Sequence, residues 1–155
     1  ENRARLLLSI IAHVRDAMPN GMPLIVRFSA TDYREDGWDI EQTKTVAKWC
    51  AEAGVDLFDI SSGGLITGVT IPSGPGYQVP LAAAVSSAVD EPVSAVGQIT
   101  EAKQANEIIE SGAAAVVSIG RAALRDPYWP LRAAAELGAE ITWPKQYERG
   151  TWPKA

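Results

Sequence analysis

A parallel α/β architecture, with helices packed outside a sheet whose strands all run one way, is what this sequence predicts. Three observations lead there. Short apolar runs suited to buried strands alternate with stretches of helical spacing along the whole chain. Glycine, proline and small polar residues punctuate each change. The repeat is roughly 25–35 residues, the size of a βα unit, and such repeats imply parallel strands joined by right-handed crossovers.

The elements follow in order. Residues 3–18 carry Leu6, Leu7, Ile10, Ile11, Val14 and Met18 at helical spacing, and Pro19-Asn20-Gly21 ends that helix. Pro23 to Ser29 reads as a buried strand, followed by a polar loop from Thr31 to Asp39. Residues 41–53 read as a helix with Val46, Ala47, Trp49 and Cys50 inward and Gly54 closing it. Val55 to Ile60 is the second strand, and Ser61 to Val79 a long loop with five glycines and two prolines. An alanine-rich helix over 80–89 leads to a third strand, Pro92 to Val96. Thr100 is placed to cap a helix over 101–111, and Gly112 ends it. Ala114 to Ile119 is the fourth strand, with short helices expected over 121–125 and 128–137. From Ala139 the tail reads as irregular and carries Trp143, Tyr147 and Trp152.

At 155 residues the chain has the length of one domain and falls short of the roughly 250 residues of a complete (β/α)8 barrel. Apolar residues make up 46% and charged residues 21%, an ordinary globular balance. The net charge of −5, with no lysine or arginine block, argues against non-specific nucleic-acid binding. An anion must therefore be held locally. Cys50 is the single cysteine, which excludes an intramolecular disulfide and fits a reducing, cytoplasmic setting. No apolar run approaches the roughly 18–20 residues of a membrane span. The opening Glu1-Asn2-Arg3-Ala4-Arg5 has neither an initiator Met nor the form of a signal peptide, so the chain is expected to start inside a longer or processed product.

Ligands of parallel sheets and barrels bind at the C-terminal ends of the strands. Those positions hold Arg27 and Ser29, Ser61-Ser62-Gly63-Gly64, Gly97-Gln98 and Gly120-Arg121. Gly97 after one strand, and Gly120-Arg121 before a short extra helix after the next, match the way barrels build a phosphate site. Glycine leaves backbone N–H groups accessible, and Arg121 offers a forked cationic donor. The competing reading makes both glycines simple tight turns and Arg121 a solvated charge. Neither a P-loop nor a G-x-G-x-x-G fingerprint is present. Arg27 lies within an apolar strand, where a buried charge needs a partner. It either pairs with a carboxylate such as Asp59 or contacts a ligand. The pattern alone leans to the ion pair. His13, the only histidine, lies on the first helix far from any strand end, and Cys50 reads as a core residue. No metal-ligand set and no catalytic constellation are found.

Several stretches, in order, resemble the flavin-dependent old yellow enzymes. They are Ile25-Val26-Arg27-Phe28-Ser29-Ala30-Thr31-Asp32, Gly54 to Gly63, Ala95-Val96-Gly97, Ile119-Gly120-Arg121 with Leu124-Arg125-Asp126-Pro127, and Gln146-Tyr147-Glu148-Arg149-Gly150. The tail is similar to the thermophilic-like subclass of ene-reductases. Glu1-Asn2-Arg3 resembles the run that opens the fourth helix of that family's barrel. The resemblance implies that residues 1–155 form one half-barrel domain with a tail over 139–155. That domain would be the C-terminal half, strands five to eight, of a TIM (β/α)8 barrel.

It further implies non-covalent FMN reduced by NADPH, with a hydride passed to an activated alkene such as an α,β-unsaturated carbonyl. Arg27 matches the arginine near the flavin pyrimidine edge, and Gly97, Gln98, Gly120 and Arg121 match the phosphate grip. Arg149, with Tyr147 and Trp152, matches a tail that reaches a neighbouring subunit's site. The family's substrate-carbonyl donors, proton-donating tyrosine and flavin-tuning residue come from the first half of the barrel. No catalytic residue is therefore assigned to this chain, and neither Tyr33 nor Tyr77 fits the proton donor. The expected partner is the N-terminal half-barrel or a second copy of this chain, giving a homo-oligomer. The alternative is a non-catalytic flavin- or phosphate-binding half-barrel that self-associates.

Overall fold

The computed structural model describes residues 2–152; Glu1 of the opening motif lies outside them. After a 3-10 turn at Asn2–Ala4 come α1 (Arg5–Ala17), β1 (Ile25–Ser29), α2 (Ile40–Glu52), β2 (Leu57–Ser61) and α3 (Val79–Ser86). They are followed by β3 (Val93–Ala95), α4 (Ala102–Glu110), β4 (Val116–Val117), α5 (Arg121–Arg125) and α6 (Trp129–Glu136). The four strands form one all-parallel sheet in the order β1-β2-β3-β4. Sequential order is informative. A doubly wound sheet reverses direction at a switch point, whereas a barrel adds each strand beside the last. The sheet is an arc of barrel wall.

The two faces of that arc differ. Val26 aligns with Phe58, and Phe28 with Ile60 and then Ala95; all are buried under the helices. Phe28 and Phe58 stack with ring centroids 5.9 Å apart. On the other face, Arg27 aligns with Asp59, Ser94 and then Val116. There Ile25 is 55% exposed and Val116 40%. Parallel sheets are ordinarily covered on both faces, so this face is built to be enclosed.

Local chemistry sets the element ends. Asp39 caps α2 by accepting from the Gln42 N–H at 2.8 Å. Thr43, fully buried, donates to the Ala30 carbonyl at 2.9 Å and fixes α2 to the end of β1. Cys50 is fully buried, and that burial pushes its thiol up to about 11, as a core residue requires. His13 is exposed on α1.

The structure corrects several expectations. The second strand starts at Leu57 rather than Val55, because the Val55 N–H caps the end of α2 at Cys50. The fourth strand shrinks from 114–119 to Val116–Val117, since only Ser94 and Ala95 of the three-residue β3 pair with it. Thr100 is not the cap of α4. That position belongs to Glu101, without a side-chain bond, while the Thr100 N–H is taken by the Gln104 side chain at 3.1 Å. The tail is not wholly irregular, as Lys145–Gly150 form a 3-10 turn. Arg27 is not buried. Its strand alternates, and its side chain is 57% exposed on the bare face.

Candidate functional site

A cleft of about 410 Å3 opens at the C-terminal ends of the strands. Arg27, Gly97, Gln98, Gly120 and Arg121, the five residues singled out from the sequence, all line it. The folding logic is local. The turns that follow the strand ends, at Ser61, at Gly97 and Gln98, and at Gly120, face the cleft. Gly97 has φ +126, a conformation that side-chain-bearing residues rarely adopt. Gln98 follows at φ 51, held by its amide to the Ser73 hydroxyl at 3.0 Å. Around Gly120 a β-carbon would meet nothing within 4 Å, so the space in front of that turn is open.

The electrostatics favour an anion. Arg121 and Arg125 both line the cleft and make no ion pair or side-chain hydrogen bond among the described residues. Like charges four residues apart on a helix repel, and no carboxylate relieves them here. The backbone N–H groups of Gly97, Gln98, Gly120 and Arg121 have no backbone acceptor among the described residues. Cationic side chains together with unused amides suit a phosphate.

Arg27 satisfies both readings of its position. It donates to Asp59 Oδ2 at 2.8 Å, and it still lines the cleft. The other Asp59 oxygen is buried without a partner among the described residues.

The tail residues are elsewhere. Tyr147 lies beside Tyr128, with ring centroids 5.6 Å apart, and Trp152 beside Trp143 at 5.3 Å. Neither they nor Arg149 lines the cleft. Trp152 instead lines a groove of about 650 Å3 between the tail and α6. Among the lining residues that the sequence did not assign to the site are Arg125 and Gln78. Arg125 was visible only as part of the Leu124-Arg125-Asp126-Pro127 stretch. Gln78 lies at the end of the glycine-rich loop, where no spacing singles it out. Among the described residues no group of histidine, cysteine or carboxylate side chains is arranged to hold a metal ion, and no helix is long and apolar enough to cross a membrane.

An arc of parallel barrel wall with a cationic cleft at its strand ends defines a class, the barrel-type α/β proteins whose sites lie in the loops that follow the strands. Within that class the chain belongs to the NADH:flavin oxidoreductase / NADH oxidase family, whose model matches residues 1–140. It is 45% identical over 150 residues to an NADPH dehydrogenase of Bacillus subtilis, covering 97% of this chain and 44% of the relative. It is 44% identical over 149 residues to one of Halalkalibacterium halodurans, covering 96% and 43%. The chain thus spans less than half the length of these curated relatives. Among solved structures, a 2-naphthoyl-CoA reductase complex superposes with a TM-score of 0.79 at 27% identity, over 90% of this chain and 22% of that one. A histamine dehydrogenase from Rhizobium sp. 4-9 gives 0.74 at 20% identity over 89% and 20%, a likeness of fold alone.

Proposed function

We propose that this chain is the C-terminal half, strands five to eight, of the (β/α)8 barrel of an FMN-dependent NADPH oxidoreductase that reduces activated alkenes. One observation carries the reading. Gly97, Gln98, Gly120, Arg121 and Arg27 converge on one cleft in which Arg121 has no acidic partner. The residues fit FMN, since its terminal phosphate is a compact anion and the cleft offers cationic and amide donors with no carboxylate among its lining. Family membership and the relatives named NADPH dehydrogenase support FMN and NADPH as cofactor and reductant.

The chemistry supplied by bound FMN is passage of a hydride from NADPH to the β-carbon of the alkene. The residues of this chain bind and orient. Arg121, with the Gly97 and Gly120 turns, anchors the phosphate. Arg27, steadied by Asp59, would hold fixed positive charge beside the flavin ring, an electrostatic role prepared before reaction. No residue here moves a proton to substrate. That group and the donors to the substrate carbonyl belong to the other half of the barrel. Arg149, with Tyr147 and Trp152, serves a neighbouring subunit's site in a cytoplasmic homo-oligomer.

The bare face and the two open edges, β1 and β4, call for closure by the N-terminal half-barrel or a second copy. Closure by a second copy favours the alternative, a self-associated scaffold that holds flavin without reducing alkenes.

The test is the visible absorbance spectrum after exhaustive dialysis, recorded on the 155-residue protein alone and co-expressed with the N-terminal barrel half of a relative. A retained flavin spectrum in the co-expressed sample, with NADPH oxidation dependent on an activated enone, is the expected result. A colourless co-expressed complex overturns the reading. Flavin retained by the protein alone, with no enone-dependent turnover in either sample, selects the scaffold.

A further inference from the structure

We infer that Gln78 is a positioning residue for the phosphate cradle, and that it contributes to the preference for a phosphorylated flavin over the same flavin without its phosphate. The inference deepens the proposed function and rests on it.

Gln78 is 3% exposed, one of three fully buried polar residues among those described. The other two have local tasks. Thr43 ties α2 to β1, and Ser94 pairs with the Ser118 hydroxyl at 2.8 Å. Gln78 bridges two strand ends. Its Oε1 accepts from the Ser62 hydroxyl at 2.6 Å and the Ser61 hydroxyl at 3.3 Å, at the end of β2. Its Nε2 donates to the Val96 carbonyl at 3.0 Å, just past β3. Ser62 is also bonded to the Tyr33 hydroxyl at 2.8 Å, in the loop after β1. Tyr33 holds φ 56, a left-handed conformation for a side-chain-bearing residue. One polar chain thus runs Tyr33, Ser62, Gln78, Val96 and links three of the loops that shape the cleft.

The chain ends where the cradle begins. Val96 immediately precedes Gly97. A β-carbon at Gly97 would lie 3.0 Å from Gln78 Nε2 and 3.1 Å from Tyr77 Cε1. The Gly97 carbonyl also accepts the Gly76 N–H at 2.8 Å. Residues 76–78 therefore fix the Gly97–Gln98 turn by a carbonyl on each side of its bend. A buried amide is tolerated only when its bonds are made. Gln78 makes them with an acceptor for two serines and a donor for one carbonyl, a combination that no charged or apolar side chain of that length provides.

The experiment measures FMN and riboflavin binding by flavin fluorescence in the barrel completed with the N-terminal half. Gln78→Met is expected to weaken FMN about tenfold, the worth of one lost buried hydrogen bond, while riboflavin changes less than about twofold on the same scale. In an Arg121→Ala background the same change is expected to weaken FMN no further, because the cradle it positions is already lost. Equal losses for both flavins, or losses that add in the double variant, overturn the inference and make Gln78 a general packing residue. Should Gln78→Met fail to fold, Ser62→Ala removes the 2.6 Å donor to Gln78 and the 2.8 Å bond to Tyr33 but keeps the Gln78 bond to Val96. An FMN-to-riboflavin preference unchanged by Ser62→Ala likewise overturns it. If Arg121→Ala leaves FMN binding unaffected, the phosphate reading itself falls. If Arg121→Ala weakens FMN and Gln78→Met does not, only the role of Gln78 falls.

Discussion

The two ends of the strands handle charge in opposite ways. At the N-terminal ends, Arg15 on α1 bonds the Asp56 carboxylate, the Gly54 carbonyl and the Met22 carbonyl. Asp56 in turn accepts the Leu24 N–H at 2.7 Å. Every cationic and anionic group in that cluster has its partner within the chain. At the C-terminal ends, Arg121 and Arg125 face a cleft with no acid, and the amides of the two glycine turns are unused among the described residues. An arginine that completes its bonds inside the chain steadies the fold. One without a partner among the described residues, beside amides with no backbone acceptor there, contributes no such tie. Arg27 stands between the two, bonded to Asp59 yet 57% exposed.

The sharpest break in this contrast is Arg121→Ala. Losing a charge-assisted pair to phosphate is expected to weaken FMN roughly 100-fold, about 2.7 kcal/mol. Thermal stability should stay unchanged, because no ion pair or side-chain hydrogen bond among the described residues is lost. Parallel melting and FMN titrations check both. Gly97→Ala comes next and affects both quantities. At φ +126, with Gln78 Nε2 3.0 Å from the new β-carbon, strain of about 1–3 kcal/mol is expected in a denaturant melt, together with weaker FMN binding. Arg15→Met is the mirror of Arg121→Ala. It should lower stability by about 1 kcal/mol, the discounted worth of a partly exposed hydrogen-bonded pair, and leave FMN affinity as it was. A loss of FMN affinity in Arg15→Met would remove the distinction between the ends.

The order of elements and the glycine and arginine residues that line the cleft were legible in the sequence because both depend on local signals. Val46, Ala47 and Cys50 announce a buried helix face, and Gly97 and Gly120-Arg121 follow apolar runs directly. Arg27 was harder. Ile25-Val26-Arg27-Phe28 reads as a buried strand, and only the bare face of the arc reveals that it alternates. Gln78 was not legible at all. Its partners lie 16 to 18 residues away across strand ends, and no periodic pattern encodes a bond between loops. The tail positions Tyr147, Arg149 and Trp152 could be named by resemblance, but nothing in their spacing placed them away from the cleft.

The smallest expected effect is also the one that separates the ends by pH. The Leu24 N–H, and then the Arg15 guanidinium, hold the Asp56 carboxyl below its ordinary 3.8. In the unfolded chain that carboxyl takes up a proton at higher pH than it does in the fold. Unfolding in acid is therefore accompanied by proton uptake, and the stabilisation from Asp56 is complete above 3.8 and fades as pH falls through that value and below. Asp56→Asn should flatten this acid limb of a stability-against-pH curve while leaving the neutral-pH FMN affinity in place. The Asp56 side chain is half exposed, so added salt should shrink the difference between variant and parent. An acid limb of the same steepness in Asp56→Asn would assign the acid sensitivity to other carboxylates and leave the N-terminal cluster resting on its hydrogen bonds to backbone alone.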